Sequence, residues 1–221
     1  MPQTIKGFIL VRSGSERVLN KNMRPFASSN LLEIKIRQLK RIKSLDGIVV
    51  NSNDDAMLET ARSYGCETVK RDPYYATSEI QPNELYTHLA ETFPGDVLVI
   101  ANVTCPLIKD DTIERAIQAY KDGIGTYDSL NTAHLVKRFL LLDGKPLNYD
   151  AENKPRSQDL PDIMDWNHAI NISSREDMIK NRNYYGKHAH IFQIDEIEGI
   201  DIDYPLDFEI AEFLFTRLAC Q

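Results

Sequence analysis

The sequence predicts an α/β fold of the Rossmann-like kind: a mostly parallel sheet with helices on both faces. Strand-like apolar runs alternate with amphipathic helical segments along most of the chain. One run, DVLVIANV at 96–103, is apolar enough for a strand covered on both faces. The 221 residues suffice for one such domain, spanning 1–221.

The first half of the chain provides four predicted strands and four predicted helices. The strands are expected at 5–11, 47–52, 66–71 and 96–103, and the helices at 31–43, 54–65, 83–93 and 110–123. Helices 54–65 and 110–123 each open with acids and end at glycine, which suits the two ends of a helix. In such a sheet, ligands bind beyond the carboxyl ends of the strands.

The alternation breaks at about 127–170. LVKRFLLLDGKPLNY predicts a hairpin that turns at DGK, and a polar loop with several prolines follows. We interpret this segment as an excursion from the sheet whose apolar side offers a surface to a partner subunit. Strand is expected again at 184–194 and in EGIDID, and PLDFEIAEFLFTRL predicts a closing amphipathic helix. Its aligned apolar residues are Leu206, Ile210, Phe213, Leu214 and Leu218.

Composition excludes several classes of function. The formal charge of −7 argues against a broad nucleic-acid or anionic-membrane surface, since both need a basic face. No apolar run approaches the roughly 20 residues of a membrane span, and the start of the chain lacks the pattern of a signal peptide. Three cysteines without metal-ligand spacing fit reduced thiols in a cytoplasmic protein.

The loop after the first strand, VRSGSERVLNKN at 11–22, combines small residues with cations. Backbone amides and converging cations bind oligophosphates. The loop matches neither the Gly-x4-Gly-Lys-Ser/Thr pattern nor Gly-x-Gly-x-x-Gly. A solvated connecting loop is the alternative, but the position beyond strand one favours phosphate binding. The residues concerned are Arg12, Ser13, Gly14, Ser15, Arg17, Lys21 and Arg24.

RSGSERVLNKN also resembles the signature that opens the acylneuraminate cytidylyltransferases, the CMP-sugar synthetases that use CTP. Four further segments resemble that family in the same order, namely VKRDPYYAT, ANVTCPLI, RSQDLP with NHAINI, and GIDIDYPLDFEIAE. The resemblance implies a sheet of the nucleotide-diphospho-sugar transferase type and a homodimer formed through residues near 131–165. It also implies that CMP passes from CTP to a small, sialic-acid-like acidic acceptor, with release of pyrophosphate.

The resemblance also implies roles for residues of this chain. The catalytic residues would be Arg12, Lys21, Asp201 and Asp203. The nucleotide would be bound by Arg12, Ser13, Gly14, Ser15, Lys21, Asn22, Arg71 and Asn102. The acceptor would be bound, from the 127–170 excursion, by Arg156, Gln158, Asn167 and His168. The alternative for this last set is that they are ordinary polar groups of a surface loop.

Asp201 and Asp203 alternate with apolar neighbours, so both should point to one side of a strand end. Two carboxylates beside a triphosphate suit Mg²⁺ or Mn²⁺. The alternative is that these acids cap the helix that starts near Pro205. With the family resemblance we favour the metal site, and we interpret Asp207 as structural.

Three positions depart from the family pattern. Asn102 stands for glutamine, Ile108 for the arginine that ends that segment, and His168 for glycine. In the family these positions adjoin the acceptor, so the nucleotide half is kept and the acceptor half is changed. A phosphate- or phosphonate-bearing acceptor, giving a CDP-type product, is therefore an alternative. A nucleotide-binding homologue without catalysis is another.

Overall fold

The computed structural model describes residues 3–15, 17–77 and 79–218 and confirms the predicted α/β fold. The strands are β1 (Ile5–Leu10), β2 (Pro25–Phe26), β3 (Ser29–Asn30), β4 (Gly47–Ser52), β5 (Glu67–Lys70), β6 (Val97–Ala101), β7 (Ser129–Val136), β8 (Leu141–Leu142), β9 (Lys145–Pro146), β10 (Ile163–Ser174) and β11 (Ala189–Gln193). The helices are α1 (Leu31–Leu39), α2 (Asp55–Ser63), α3 (Pro82–Thr92), α4 (Asp110–Asp122), α5 (Arg175–Asn181) and α6 (Pro205–Leu218).

Seven strands form the central sheet in the order β11-β7-β10-β6-β1-β4-β5. β1 pairs in parallel with β4 and β6, β4 with β5, and β7 with β11. β10 runs antiparallel to both β6 and β7. The carboxyl ends of β6, β1 and β4 therefore meet at one edge of the sheet, where a ligand is expected.

Helices cover both faces of the sheet, as β1 illustrates. Ile5 and Ile9 belong to a core that includes residues of α1, α2, α4 and α6. Phe8 points the other way, into a second core with residues of α3 and α5. Because side chains alternate along a strand, one apolar strand supplies both cores. The rigid sheet between them holds the loops at its carboxyl edge.

The excursion predicted at 127–170 is too wide, because this segment contains β7 and most of β10, which are both strands of the central sheet. The residues between these strands, 137–162, contain the β8–β9 hairpin. Its turn is at Asp143 and Gly144, whose φ angles of 51° and 75° suit the tight turn of a two-residue hairpin. The DGK turn is thus where the sequence predicts it.

The strand predicted for EGIDID is wrong, since residues 198–203 form no strand. They cross the loop that follows β6, where the Ile202 amide donates to the Thr104 carbonyl oxygen at 2.9 Å. The predicted alternation nevertheless holds, with Ile202 buried between the partly exposed Asp201 and Asp203. The apolar–polar alternation therefore indicates that one side of this extended segment is buried, not that the segment is a strand of the sheet.

Helix α6 has the predicted bounds, but its aligned apolar residues face outward. Leu206 is 64% exposed and Phe213 62%, while Phe208 and Ala211 are buried. Phe26 accounts for the burial of the Phe208 side of the helix, because the two rings lie edge-on with centroids 5.3 Å apart. No helix within the described ranges has the length and apolar character needed to cross a membrane.

Candidate active site

Two cavities adjoin at the carboxyl edge of the sheet. The basic cavity, of about 460 Å³, is lined by Leu10, Val11, Arg12, Ser15, Arg17, Lys21, Asn22, Arg71, Leu85, Asn102, Val103 and Thr104. The acidic cavity, of about 600 Å³, is lined by His134, Arg138, Asp165, Trp166, Asn167, His168, Glu196, Gly199, Ile200, Asp201, Asp203, Asp207 and Ile210. The first lining contains four cations and no carboxylate, whereas the second contains five carboxylates.

The loop after β1 forms part of the wall of the basic cavity. Arg12 and Ser15 line it, whereas Ser13 and Gly14 face a side pocket of about 220 Å³ that Arg12 and Ser15 also border. Gly14 has φ 81°, which suits glycine, and the Ser13 amide donates to Asn53 Oδ1 at 3.2 Å. The loop is thus anchored to the segment that follows β4.

Arg71 lines the basic cavity and is only 4% exposed. Its Nε donates to Asn51 Oδ1 at 2.6 Å, and it forms no ion pair with any described residue. Burial, and to a smaller extent Arg12, lowers the pKa of Arg71 to about 10. A buried cation without a carboxylate is costly, so this position suits an anionic or strongly accepting ligand.

Two asparagines complete this wall. Asn22 is buried and its Nδ2 donates to the Arg12 carbonyl oxygen at 3.1 Å. Asn102 Nδ2 donates to the His168 carbonyl oxygen at 2.7 Å. Asn102 therefore lines the basic cavity while it is fixed by a residue of the acidic cavity.

Lys21 joins the two cavities. Its Nζ donates to the Ile202 carbonyl oxygen at 2.5 Å and lies 3.9 Å from Asp203 Oδ1. Arg17 Nη2 lies 2.8 Å from the same carboxylate oxygen. Burial lowers the pKa of Lys21, and Asp203 and Asp201 act in the opposite direction. Arg12 also lines the basic cavity and donates to the Ala76 carbonyl oxygen at 2.7 Å. Cations from the loop after β1 thus meet the acids before α6, as the sequence predicts.

Helix α6 is capped by Asp207, not by Asp201 or Asp203. Asp207 Oδ2 accepts from the amides of Asp203 at 3.0 Å and Tyr204 at 2.7 Å. The interpretation of Asp207 as structural agrees with these contacts. The side chains of Asp201 and Asp203 are therefore not used as helix caps, and Asp203 is paired with Arg17 instead.

The donor set of these two acids fits a divalent ion. Asp201 is partly exposed, but its Oδ1 is buried and has no hydrogen-bond partner among the described residues. Burial raises the pKa of this carboxyl group, and the neighbouring Asp203 adds to the effect while Thr104 opposes it. A hard cation would supply the missing partner. The described residues contain no group of three or more metal-ligating side chains, so phosphate oxygens and water would complete the shell.

The four predicted acceptor residues divide into two pairs. Asn167 and His168 line the acidic cavity, whereas Arg156 and Gln158 line neither cavity. Arg156 is exposed and pairs with Asp159 at 2.7 Å. Ile108, expected near the acceptor, is instead buried in the core. The loss of arginine at that position therefore removes no charge from either cavity of this chain.

Sequence reasoning missed several residues of the acidic cavity, among them Arg138 and Glu196. His134 lies in β7 and Arg138 two residues beyond its end, an even number of residues further along the same period-two pattern. That alternation was the available signal. His134 lies 3.7 Å from Asp165, and Arg138 pairs with Glu196 at 2.7 Å.

The fold and the site together are those of a nucleotidyltransferase: a cavity lined by four cations meets Asp201 and Asp203 at the carboxyl edge of a mostly parallel sheet. Comparison with known families gives the narrower assignment. The chain belongs to the cytidylyltransferase family, whose profile matches residues 7–217. The resemblance noted from the sequence motifs is thereby confirmed.

Curated relatives match nearly the whole chain. Post-translational flagellin modification protein B of Campylobacter coli is 29% identical over 222 residues, covering 95% of this chain and 94% of the relative. CMP-N,N'-diacetyllegionaminic acid synthase of Campylobacter jejuni is 27% identical over 219 residues, covering 94% and 93%. This chain is similar to both throughout its length.

Solved structures support the fold. CMP:2-keto-3-deoxy-manno-octonic acid synthetase complexed with CTP superposes with a TM-score of 0.72 at 11% identity, covering 97% of this chain and 99% of the other. 4-Diphosphocytidyl-2C-methyl-D-erythritol synthase from Anaerococcus prevotii gives 0.70 at 11% identity, with the same coverage. At such low identity the likeness concerns the fold alone.

Proposed function

We propose that this enzyme transfers CMP from CTP to an acidic, sialic-acid-like sugar and releases pyrophosphate, with Mg²⁺ or Mn²⁺ bound at Asp201 and Asp203. The observation that carries the proposal is the meeting of Lys21 and Asp203 at the boundary between a basic and an acidic cavity. The relatives' names add support, because one of them is a CMP-N,N'-diacetyllegionaminic acid synthase.

The basic cavity would hold the nucleotide. Arg12 and Lys21 neutralise the triphosphate, and Ser15 donates an uncharged hydrogen bond, while Ser13 and Gly14 shape the loop. Asn22 and Arg71 contact cytosine or its ribose, since an amide both donates and accepts. Asn102 lines the far wall towards the acceptor.

The acceptor would enter the acidic cavity and present a hydroxyl oxygen to the α-phosphorus of CTP. A bond forms between that oxygen and phosphorus as the bond to pyrophosphate breaks, and the hydroxyl proton passes to solvent water. Mg²⁺ at Asp201 and Asp203 would offset the charge of the phosphates and polarise the α-phosphorus. The chain's own contribution is alignment: Lys21 and Arg17 hold Asp203 at the boundary, and Asn167 and His168 orient the sugar.

The charge of the acidic cavity favours a carboxylate sugar over a phosphate-bearing acceptor. Its lining contains five carboxylates and a single arginine. A phosphate or phosphonate would bring up to two negative charges into this field, whereas a sugar acid brings one. The phosphate alternative is therefore the second candidate.

We further propose a cytoplasmic homodimer formed through residues near 131–165. Leu141, Leu142 and Leu147, on and beside the β8–β9 hairpin, are each more than half exposed. Such a patch is typical of a subunit interface. Arg156 and Gln158 follow the hairpin and would reach the acceptor of the partner subunit, which explains why they line neither cavity of their own chain.

The test is pyrophosphate release from CTP and Mg²⁺ with a panel of acceptors. The panel contains N,N'-diacetyllegionaminic acid, N-acetylneuraminic acid, 2-keto-3-deoxy-octonic acid and a phosphosugar. We expect turnover with a nine-carbon sugar acid and none without divalent metal. Turnover with the phosphosugar alone would replace the acceptor class, and turnover in excess chelator would reject the metal role.

A further inference from the structure

His168 has a backbone conformation that does not favour histidine. Its φ is 58°, in the left-handed region, and it lies in the β10 bulge between Trp166 and Asn171, where the pairing with β7 changes register. Glycine adopts this region freely, whereas a residue with a Cβ pays about 1 kcal/mol or more. The histidine side chain is thus retained at an energetic cost.

Neighbouring aromatic side chains fix the position of the imidazole. His168 Nδ1 lies 3.1 Å from the Tyr184 hydroxyl oxygen. The Trp166 ring lies against it, with centroids 4.3 Å apart. Tyr184 in turn contacts Tyr86 edge-on at 4.6 Å, so the hydroxyl that fixes the imidazole is itself held in a packed cluster. The ring is therefore preorganised in the unliganded protein.

The same residue contacts both halves of the site. Its carbonyl oxygen accepts from Asn102 Nδ2, which belongs to the basic cavity, while its ring lines the acidic cavity together with Asp201 and Asp203. A group at this boundary lies beside the part of the acceptor that is close to the reacting oxygen.

One ring nitrogen remains available. Nδ1 is engaged by Tyr184, and Nε2 has no hydrogen-bond partner in the described part of the chain. Burial lowers the pKa of His168, against the opposing effect of Asp201, Asp165 and Asp203, and this favours the neutral ring. A neutral imidazole can hydrogen-bond a hydroxyl or amide group without adding charge.

We propose that His168 determines acceptor specificity in this enzyme: held by Tyr184 and Trp166, it hydrogen-bonds a hydroxyl or amide substituent of the acceptor sugar through Nε2. The inference rests on the proposed function, since it assigns the acceptor to the acidic cavity. Tyr184 and Trp166 act as positioning residues, through His168. An acceptor without that substituent loses a bond that the site is built to make.

The experiment uses His168→Gly, which removes the side chain and relieves the backbone. We expect an unchanged or higher melting temperature, a KM for CTP within about twofold, and kcat/KM for the acceptor lowered about tenfold or more. Free imidazole should restore part of the loss. Tyr184→Phe, which removes only the hydroxyl, should give a smaller loss of the same kind.

His168→Asn is the second variant, because asparagine tolerates the left-handed region and covers the case that glycine loosens the bulge. Wild-type acceptor kinetics in both His168 variants would overturn the proposal. Equal loss for CTP and acceptor without rescue by imidazole would also overturn it, since that pattern indicates a purely structural role. If the wild-type enzyme turns over no member of the acceptor panel, the proposed function fails and this inference falls with it.

Discussion

The two cavities of the site are built in opposite ways. The basic cavity takes most of its polar residues from one stretch of loop, between Arg12 and Asn22, with Arg71 and Asn102 added. The acidic cavity draws on three separate segments, at 134–138, 165–168 and 196–210. A local loop is visible as a motif in the sequence, whereas a cavity assembled from distant segments is not.

The difference also separates two chemical tasks. A triphosphate is recognised by charge, so cations without competing carboxylates suffice. An acceptor is recognised by its substituents, which requires hydrogen-bonding groups in fixed positions. Lys21 and Asp203 stand where the two tasks meet, and the predictions below test each side of that boundary.

The largest effect is expected at the boundary. Asp203→Asn should lower kcat by about a thousandfold or more, because it removes a charge that holds the metal beside the triphosphate. Pyrophosphate release measures the rate. Asp122→Asn is the matched control: it removes an exposed carboxylate at the end of α4, outside both cavities, and should leave stability and activity close to the wild type. Full turnover in Asp203→Asn would exclude the metal role.

On the basic side, Lys21→Ala should raise the KM for CTP about 10- to 100-fold through the loss of a charge-assisted contact. Initial-rate kinetics at saturating acceptor measure this change. Lys70→Ala is the control, since Lys70 is exposed, lies on the outermost strand β5 and pairs with the exposed Asp55. If both variants kept the wild-type KM for CTP, Lys21 would not belong to the nucleotide site.

Beneath the boundary lies a fully buried lysine, Lys35, which the sequence reading passed over. Its Nζ donates to Gln38 Oε1 at 2.7 Å and to the Cys105 carbonyl oxygen at 3.0 Å. Burial lowers the pKa of Lys35 from 10.5 to about 8. Thr104, the residue before Cys105, lines the basic cavity and accepts a hydrogen bond from the Ile202 amide through its carbonyl oxygen. Lys35 therefore supports the loop at the boundary between the two cavities.

The sign of the pH effect follows from that shift. Between pH 8 and 10.5 the unfolded chain keeps a proton on Lys35 that the folded chain has lost, so the free energy of unfolding rises with pH. The gain should be about 3 kcal/mol across the window. Urea unfolding at several pH values measures it in the wild type, Lys35→Met and the exposed control Lys70→Met. The rise should vanish in Lys35→Met alone; an equal rise in all three would assign it to other groups.

The smallest effect concerns the acidic side. Arg156→Ala should change the free energy of unfolding by less than about 1 kcal/mol, because its pair with Asp159 is exposed. As the proposed contact from a partner subunit, it should raise the KM for the acceptor about fivefold. Acceptor titrations measure the KM, and light scattering measures the oligomer. An unchanged acceptor KM in a dimeric protein would remove Arg156 from the site.

Sequence periodicity predicted the elements of the first half closely, since buried strands and one-sided helices follow from burial alone. The predicted strand at 47–52 matches β4, and the predicted helix at 110–123 matches α4 within one residue. Such patterns depend on local spacing, which a single sequence contains.

The predictions that were wrong concerned side chains whose positions depend on tertiary contacts. Leu206 and Phe213 were predicted to lie on the apolar face of α6, but they are exposed. The opposite face is buried because Phe208 packs against Phe26. Ile108 was expected near the acceptor because of its place in a motif, but its side chain is buried in the hydrophobic core. Arg17 was one of several loop cations expected near phosphate, and nothing in the sequence indicated that it would form the 2.8 Å pair with Asp203. Spacing along the chain does not determine which of two apolar faces, or which of several cations, finds a partner.

The central claim is that a triphosphate is held between the cations of the loop after β1 and the acids before α6. A crystal structure with CTP and Mg²⁺ tests it most directly. The account predicts the triphosphate in the basic cavity, in contact with Arg12 and Lys21, with the metal between its phosphates and Asp201 and Asp203. A nucleotide bound elsewhere, or a metal that touches neither carboxylate, would contradict it.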